Sequence, residues 1–154
     1  MPEQPRPFSP RADQTQMLWS DSIAIPAGAG IGATTRIYLG MAHETGLTLR
    51  SVYVTTSAGV PRSTTDYFLF RPFVTTVTDG AASVRYISDG RGSNSYSVTA
   101  DVAFRCHDEE MFNIPLVKGQ MVGVDILTTS AVAPGNLPTS VRGSFIAGVI
   151  RRGR

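Results

Sequence analysis

Hydrophobic and polar residues alternate most regularly in the stretch 94–126. In its first part the apolar or small residues share one parity, and they are Tyr96, Val98, Ala100, Val102 and Phe104. A second alternating run follows Lys118-Gly119-Gln120 and consists of Val122, Val124 and Ile126. Alternation with a period of two is typical of strands that have one buried face. The pattern therefore predicts two inward-facing core strands, at residues 96–104 and 122–126.

Two further segments, residues 67–73 and 141–150, carry apolar side chains on both parities. Apolar groups on the second face of a sheet are most simply buried by another subunit. Pro72 predicts an edge or a bend, because proline cannot donate a hydrogen bond to a neighbouring strand. The apolar parity changes between Leu49 and Val52, which predicts a β-bulge near Arg50 and Ser51.

No segment repeats its apolar residues with the 3.6-residue period of a helix over ~11 residues. Turn dipeptides such as Asp79-Gly80 and Asp89-Gly90 separate the strand-like segments. Valine and threonine are frequent, and β-branched residues favour strands. The sequence therefore predicts an all-β protein, an eight-stranded antiparallel jelly-roll sandwich in residues 17–150 with an extended N-terminal arm.

The predicted arm comprises residues 1–16. Four prolines within its first ten residues restrict the backbone and exclude helix. The arm is either a disordered tail or expression remnant, or a segment that docks on a neighbouring subunit, with Phe8 as the anchor and Arg6 and Arg11 as further contacts. Residues 151–154 form a basic C-terminal tail, whose candidate partner contacts are Arg151, Arg152 and Arg154.

The formal net charge is only +2, and the body between the arm and the tail is close to neutral. Nucleic-acid-binding domains carry a basic stripe across the fold, so we expect no specific nucleic-acid partner. The single cysteine, Cys106, excludes an intramolecular disulfide. The first residues do not have the apolar centre of a signal peptide, and no apolar run approaches ~18 residues. These features predict a protein without a membrane partner that is made in a cytosol.

Potential ligands are concentrated at Cys106-His107-Asp108-Glu109-Glu110. On an extended chain Cys106 and His107 point to opposite faces, so they cannot form a nucleophile–base pair. The sequence contains no second cluster that would complete a zinc site. A calcium site at these acidic residues would need further oxygen ligands from elsewhere. The simpler interpretation is a solvated acidic loop with a half-buried thiol.

Two other groups of polar residues are candidate sites. His43 is expected to be an exposed loop histidine. Asp101 and Asp125 would serve glycoside hydrolysis if they were close in space, but the simpler interpretation places both on the outward face of a sheet. We therefore predict no catalytic residue, no metal site and no cofactor.

Three short segments, residues 92–104, 116–124 and 141–148, resemble strands of tumour-necrosis-factor-like and complement globular-head jelly rolls. The whole chain, with its prolyl arm and its strands rich in Ser, Thr and Gly, resembles the jelly-roll decoration (cement) proteins and fibre-head modules of tailed bacteriophages. This resemblance implies a homotrimer on the outside of a capsid. It also implies that one end of the sandwich, or the arm, contacts the major capsid protein lattice.

The leading hypothesis is a non-enzymatic virion protein that decorates and stabilises a phage capsid, made in the host cytoplasm and located on the capsid exterior. The alternative is a carbohydrate-binding jelly-roll module or fibre tip, with Tyr38, Tyr53 and Tyr86 as the sugar-binding platform. A third hypothesis, a cupin-type enzyme, requires a cluster of histidine ligands, and the chain contains only His43 and His107.

Overall fold

The computed structural model describes residues 15–20, 22–25, 33–76, 83–129 and 141–151. Within these residues the chain forms eleven antiparallel strands. They are β1 (Thr15–Trp19), β2 (Ile23–Ala24), β3 (Ala33–Met41), β4 (Leu47–Thr56), β5 (Tyr67–Thr75), β6 (Val84–Tyr86), β7 (Arg91–Gly92), β8 (Phe104–Arg105), β9 (Ile114–Leu116), β10 (Met121–Thr129) and β11 (Arg142–Arg151).

The strands form two sheets. The six-stranded sheet has the order β1-β11-β4-β8, with β2 also paired to β11 and β9 also paired to β4. The five-stranded sheet has the order β3-β10-β5-β6, with β7 also paired to β5. Three positions are thus each filled by two short consecutive strands: β1 with β2, β6 with β7, and β8 with β9.

Counted as positions, the eleven strands reduce to eight, and the chain crosses repeatedly from one sheet to the other. This arrangement of two four-position sheets is that of a jelly roll. The predicted all-β jelly-roll sandwich is therefore confirmed. The short strands were not separated in the sequence because apolar alternation over two or three residues is too brief to detect.

The core lies between the two sheets and is mainly aliphatic and aromatic. The ring of Phe70 on β5 lies edge-on to Phe145 on β11, at a centroid distance of 5.7 Å, and to Phe104 on β8, at 6.1 Å. Val122, Val124 and Ile126 are fully buried in β10, as their alternation predicted.

The predicted core strand at residues 96–104 is wrong. Only Val98, in an isolated bridge with Val60, and Phe104, in β8, are buried there. Val102 is 54% exposed, and Asp101 has a left-handed backbone with φ of 59°. The segment turns because Asp101 donates its N–H to the Thr56 carbonyl, and short polar side chains favour turns over regular strands.

The predicted bulge is confirmed at Arg50. Leu49 pairs with Val149 and Ser51 pairs with Gly148, so Arg50 is the unpaired extra residue in β4. A bulge of this kind reverses the parity of the inward-facing side chains.

Pro72 lies inside β5 and not in an edge strand. Its carbonyl accepts a hydrogen bond from the Ile87 N–H, on the side of β5 that carries β6 and β7. The amide and carbonyl of a strand residue point to the same side, so the missing N–H of Pro72 faces the interruption between these two short strands. The proline therefore removes no hydrogen bond from the pairing of β5 with β6 or with β7.

Gly123 in β10 marks a close approach between strands. A Cβ at this position would lie 2.4 Å from the Ile37 carbonyl oxygen and 2.3 Å from Cζ of Phe73. We predict that Gly123→Ala lowers the free energy of unfolding by about 1–3 kcal/mol, the usual effect of overpacking. Urea denaturation measures this change.

Gly59→Ala is the matched control, because the nearest atom to its added Cβ would be the Val98 carbonyl oxygen at 3.5 Å. We expect this loop variant to remain within about 0.5 kcal/mol of the parent protein. Equal stabilities for the two variants would contradict the close contact at Gly123.

Candidate functional site

The outer face of the five-stranded sheet carries a row of aromatic side chains across four strands. In register, Gly123 of β10 lies between Tyr38 of β3 and Phe73 of β5, and Phe73 lies opposite Tyr86 of β6. Phe73 is buried, whereas Tyr38 is 51% and Tyr86 39% exposed. The two tyrosines contact Phe73 edge-on, with centroid distances of 5.7 and 6.5 Å. The row thus presents one exposed ring on each side of a buried ring.

A charged row lies beside the aromatic row. Asp125 of β10 pairs with Arg36 of β3 on one side and Arg71 of β5 on the other. Arg36 donates two hydrogen bonds of 2.8 Å to the two carboxylate oxygens of Asp125. The phenol of Tyr86 donates a further hydrogen bond to Asp125. We call these six residues, Arg36, Tyr38, Arg71, Phe73, Tyr86 and Asp125, the tyrosine–arginine face.

Burial and hydrogen bonding have opposite effects on Asp125, which is 1% exposed. Burial favours the neutral acid, but the hydrogen bonds from Arg36 and Tyr86 outweigh it and hold the pKa of Asp125 below its usual value. The hydrogen bond to the carboxylate also raises the pKa of Tyr86. Asp125 is therefore an ionised anchor for two of the neighbouring side chains.

Both arginines stack on aromatic rings of the same face. The guanidinium carbon of Arg71 lies 3.9 Å from the centroid of Tyr86, and that of Arg36 lies 5.0 Å from the centroid of Phe73. Such cation–π contacts restrain the arginine side chains as well as the rings. With two guanidinium groups and one carboxylate, the face has an excess positive charge.

The structure brings together two of the three tyrosines in the predicted sugar-binding platform. Tyr38 and Tyr86 lie on the tyrosine–arginine face. Tyr53 lies in β4 of the other sheet and packs against His107. The sequence pattern did not reveal this division, because it depends on which sheet each strand joins.

The proposed carboxylate pair is not supported. Asp101 is exposed in a turn that is hydrogen-bonded to Thr56 of β4, whereas Asp125 is buried in β10 of the other sheet. Asp125 does lie on the outward face of its sheet, as expected, but it is buried there and not exposed to solvent. Side chains from β3 and β6 cover it, and neither strand is near it in sequence.

The segment 106–110 is a mixture of core and surface. Cys106 and His107 are both fully buried, whereas Asp108, Glu109 and Glu110 are exposed. The expected half-buried thiol is thus completely buried, and burial raises the pKa of Cys106. A thiol in this environment stays protonated and is a poor nucleophile.

His107 has a structural role. The Val52 N–H donates to Nε2, so the proton of the neutral ring is on Nδ1, which faces the Glu109 carbonyl. The ring also packs on Phe112 at a centroid distance of 4.0 Å. Burial lowers the pKa of His107, and the neutral imidazole joins β4 to the loop after β8.

His43 is exposed in the connection between β3 and β4, as predicted. The part of the chain that the structure describes contains no group of three His, Cys, Asp or Glu side chains placed to bind a metal ion. In the same residues there is no helix long and apolar enough to cross a membrane.

A second surface feature is a groove on the six-stranded sheet. It is lined by Arg50, Ser51, Tyr53, Glu110, Met111, Gly148 and Ile150. The side chain of Met111 is exposed, and its sulfur accepts a hydrogen bond from the Arg50 guanidinium. Tyr53 and Ile150 are partly exposed, so the apolar second face predicted for residues 141–150 remains only partly covered within one chain.

The predicted partner contacts fall largely outside the described residues. Arg6, Phe8, Arg11, Arg152 and Arg154 lie outside them, and Arg151 is described only as the last backbone position of β11. The predicted arm is two residues too long, because Thr15 and Gln16 belong to β1.

No family model matches the sequence, and no curated protein matches it significantly. Two solved structures are similar to most of this chain over part of their own length. A chain in the structure of infectious bursal disease virus, Gt strain, aligns with a TM-score of 0.43 and 12% identity, over 90% of this chain and 33% of that one. A chain in the structure of the Gx strain aligns with a TM-score of 0.42 and 17% identity, over 99% of this chain and 34% of that one. The present chain thus spans about a third of the length of each.

The buried neutral His107 predicts that stability depends on pH. The unfolded chain binds a proton at the ordinary histidine pKa of ~6.5, whereas the folded chain binds it only at a lower pH, because burial lowers the pKa of His107. The free energy of unfolding should therefore fall as the pH drops below about 6.5, by at most about 1.4 kcal/mol per pH unit. Urea denaturation between neutral pH and the onset of carboxylate protonation measures the slope.

His107→Gln should remove this slope, because the variant has no imidazole to protonate at that position. His43→Gln should keep it, because His43 is exposed and its replacement leaves the buried imidazole in place. A slope that persists in His107→Gln and disappears in His43→Gln would contradict the assignment.

Asp125→Asn should weaken the tyrosine–arginine face. The amide cannot accept the two charge-assisted hydrogen bonds from Arg36 and also the bond from Tyr86. We expect the free energy of unfolding to decrease by about 2 kcal/mol, the range for hydrogen bonds to charged groups. Asp89→Asn, in an exposed turn, is the control and should remain within about 0.5 kcal/mol of the parent. Equal losses in the two variants would show that Asp125 does not anchor its neighbours.

Proposed function

We propose that this chain is a non-enzymatic structural protein of a virus particle. In this proposal it binds the major capsid protein lattice as a homo-oligomer on the capsid exterior. The observation that supports the proposal is the position of the ends of the described chain. Thr15 at the start of β1 lies opposite Ile150, and Arg151 is the last residue of β11. The arm and the tail are therefore attached to one corner of the six-stranded sheet.

The two attached segments have a common electrostatic character. Residues 1–14 and 151–154 contain five arginines and two carboxylates, whereas the rest of the chain is nearly neutral. An acidic surface on a partner would complement this corner. Complementary charges at an interface mainly increase the association rate and make binding sensitive to salt.

The groove supplies apolar surface close to the same corner. Ile150, which pairs with Thr15, lines it together with Met111 and Tyr53. Burial of such surface by a neighbouring protein contributes about 25 cal/mol per Å². Charged segments and a partly apolar groove at one corner are suited to a binding role.

The proposal predicts that the full chain forms a homotrimer and binds capsids assembled from the major capsid protein of its own virus. Analytical ultracentrifugation measures the first property, and co-sedimentation with capsids measures the second. Binding should weaken as the ionic strength rises, because arginines contribute to it. A strictly monomeric protein that does not sediment with capsids would refute the proposal.

Two variants test the corner itself. Deletion of residues 1–14, and serine at Arg151, Arg152 and Arg154, should each weaken capsid binding at least about tenfold, or 1.4 kcal/mol. The matched control replaces Arg62 and Arg85 with serine, since both are exposed and neither belongs to β1, to β11 or to the lining of the groove. Equal weakening by the control would indicate a general effect of charge.

A further inference from the structure

We propose that the tyrosine–arginine face binds an acidic saccharide, one that carries a carboxylate or a sulfate group. This site lies on the five-stranded sheet, and the corner with the arm and the tail lies on the six-stranded sheet. The inference does not depend on the proposed virion role.

The exposed rings are held in place without a ligand. Tyr38 and Tyr86 each contact Phe73 edge-on, and Tyr86 is also fixed by its hydrogen bond to the buried Asp125. Gly123 beneath them has no side chain, which lets the Phe73 ring lie close to β10. A site whose side chains are already ordered loses little conformational entropy on binding.

The rings are suited to stack against sugars. A pyranose ring has one face made mainly of C–H groups, and such a face packs on an exposed aromatic ring while its hydroxyls stay in water. The rings of Tyr38 and Tyr86 lie on the two sides of Phe73, with centroids 5.7 and 6.5 Å from the Phe73 centroid. This separation favours an oligosaccharide over a single sugar.

The charges indicate that the saccharide is acidic. Asp125 is buried and already accepts hydrogen bonds from Arg36 and Tyr86, so it is not available to a ligand. The Arg36 side chain is 39% exposed and lies over Phe73, next to the exposed Tyr38. Arg71 adds a second guanidinium group in the same row. Arginine binds carboxylate and sulfate groups through paired N–H donors, so an acidic substituent balances the excess positive charge.

The length of the row is suited to more than one sugar unit. The row crosses four strands, and a saccharide that lies along it would contact one exposed tyrosine on each side of Phe73.

The first experiment applies the full chain to an array of sialylated, uronate-containing and sulfated oligosaccharides together with their neutral parents. We expect at least one acidic class to bind at least tenfold more tightly than its neutral parent. Failure of every acidic saccharide to bind at millimolar concentration would overturn the proposal, as would equal binding of acidic and neutral members.

The second experiment locates the site with variants, using the acidic saccharide that the array identifies. Tyr38→Ala and Arg36→Gln should each weaken binding at least tenfold. Tyr96→Ala is the matched control, because Tyr96 is also partly exposed but stacks with Arg91 and Phe104 elsewhere on the molecule. The control should bind within about twofold of the parent. Equal loss in the control would place the site elsewhere.

Two further measurements keep this interpretation falsifiable if a variant unfolds. Ring resonances of Tyr38 and Tyr86 in the parent protein should shift when the saccharide is added, and resonances of Tyr53 should not. Sedimentation of the variants should show an unchanged oligomeric state. A change in oligomeric state on replacement of Tyr38 would identify this face as a subunit interface and overturn the proposal.

Discussion

The contact of Phe70 with both layers of the sandwich is the interaction on which the rest of the structure depends. Its ring lies on β5, at the middle of the five-stranded sheet, and meets Phe145 and Phe104 of the six-stranded sheet. Aromatic side chains bury the largest apolar areas, so this cluster contributes strongly to holding the sheets together. The outer faces of the two sheets take their relative position from the packing of their inner faces.

The outer face of the five-stranded sheet follows from the same strands. Because side chains alternate, the backbone that directs Phe70 inward directs Arg71 and Phe73 outward. The inward side chains of β5 are buried in the close-packed core, which supports the outward ones from below. Binding sites built on strands hold their side chains more precisely than sites built on loops. The hydrogen bonds of Asp125 complete this support by restraining Arg36 and Tyr86.

The two sheets offer different surfaces for binding. The six-stranded sheet has the partly apolar groove and the corner to which the basic segments are attached. The five-stranded sheet has the tyrosine–arginine face. Because the sheets form opposite layers of the sandwich, one surface can be occupied while the other stays accessible.

Local patterns determined the features that depend on neighbouring residues in the chain. The alternation at Val122, Val124 and Ile126 identified a core strand, and the change of parity identified the bulge at Arg50. Alternation misled at residues 96–104, because it does not measure the tendency of Ser, Thr and Asp to form turns. Asp101 adopts a left-handed conformation there, and its N–H bonds to a strand of the six-stranded sheet.

Only the tertiary structure decided which polar residues form a site. Three residues that are far apart in sequence meet there: Arg36, Asp125 and Tyr86. They meet because the strand order is β3-β10-β5-β6. The sequence placed Asp125 on the outward face of a sheet, but it did not show that other side chains cover this residue, and it did not separate Tyr53 from Tyr38 and Tyr86. The burial and the hydrogen-bond partners of a polar side chain depend on strand order. Strand order arises from contacts between distant segments, which no local pattern encodes.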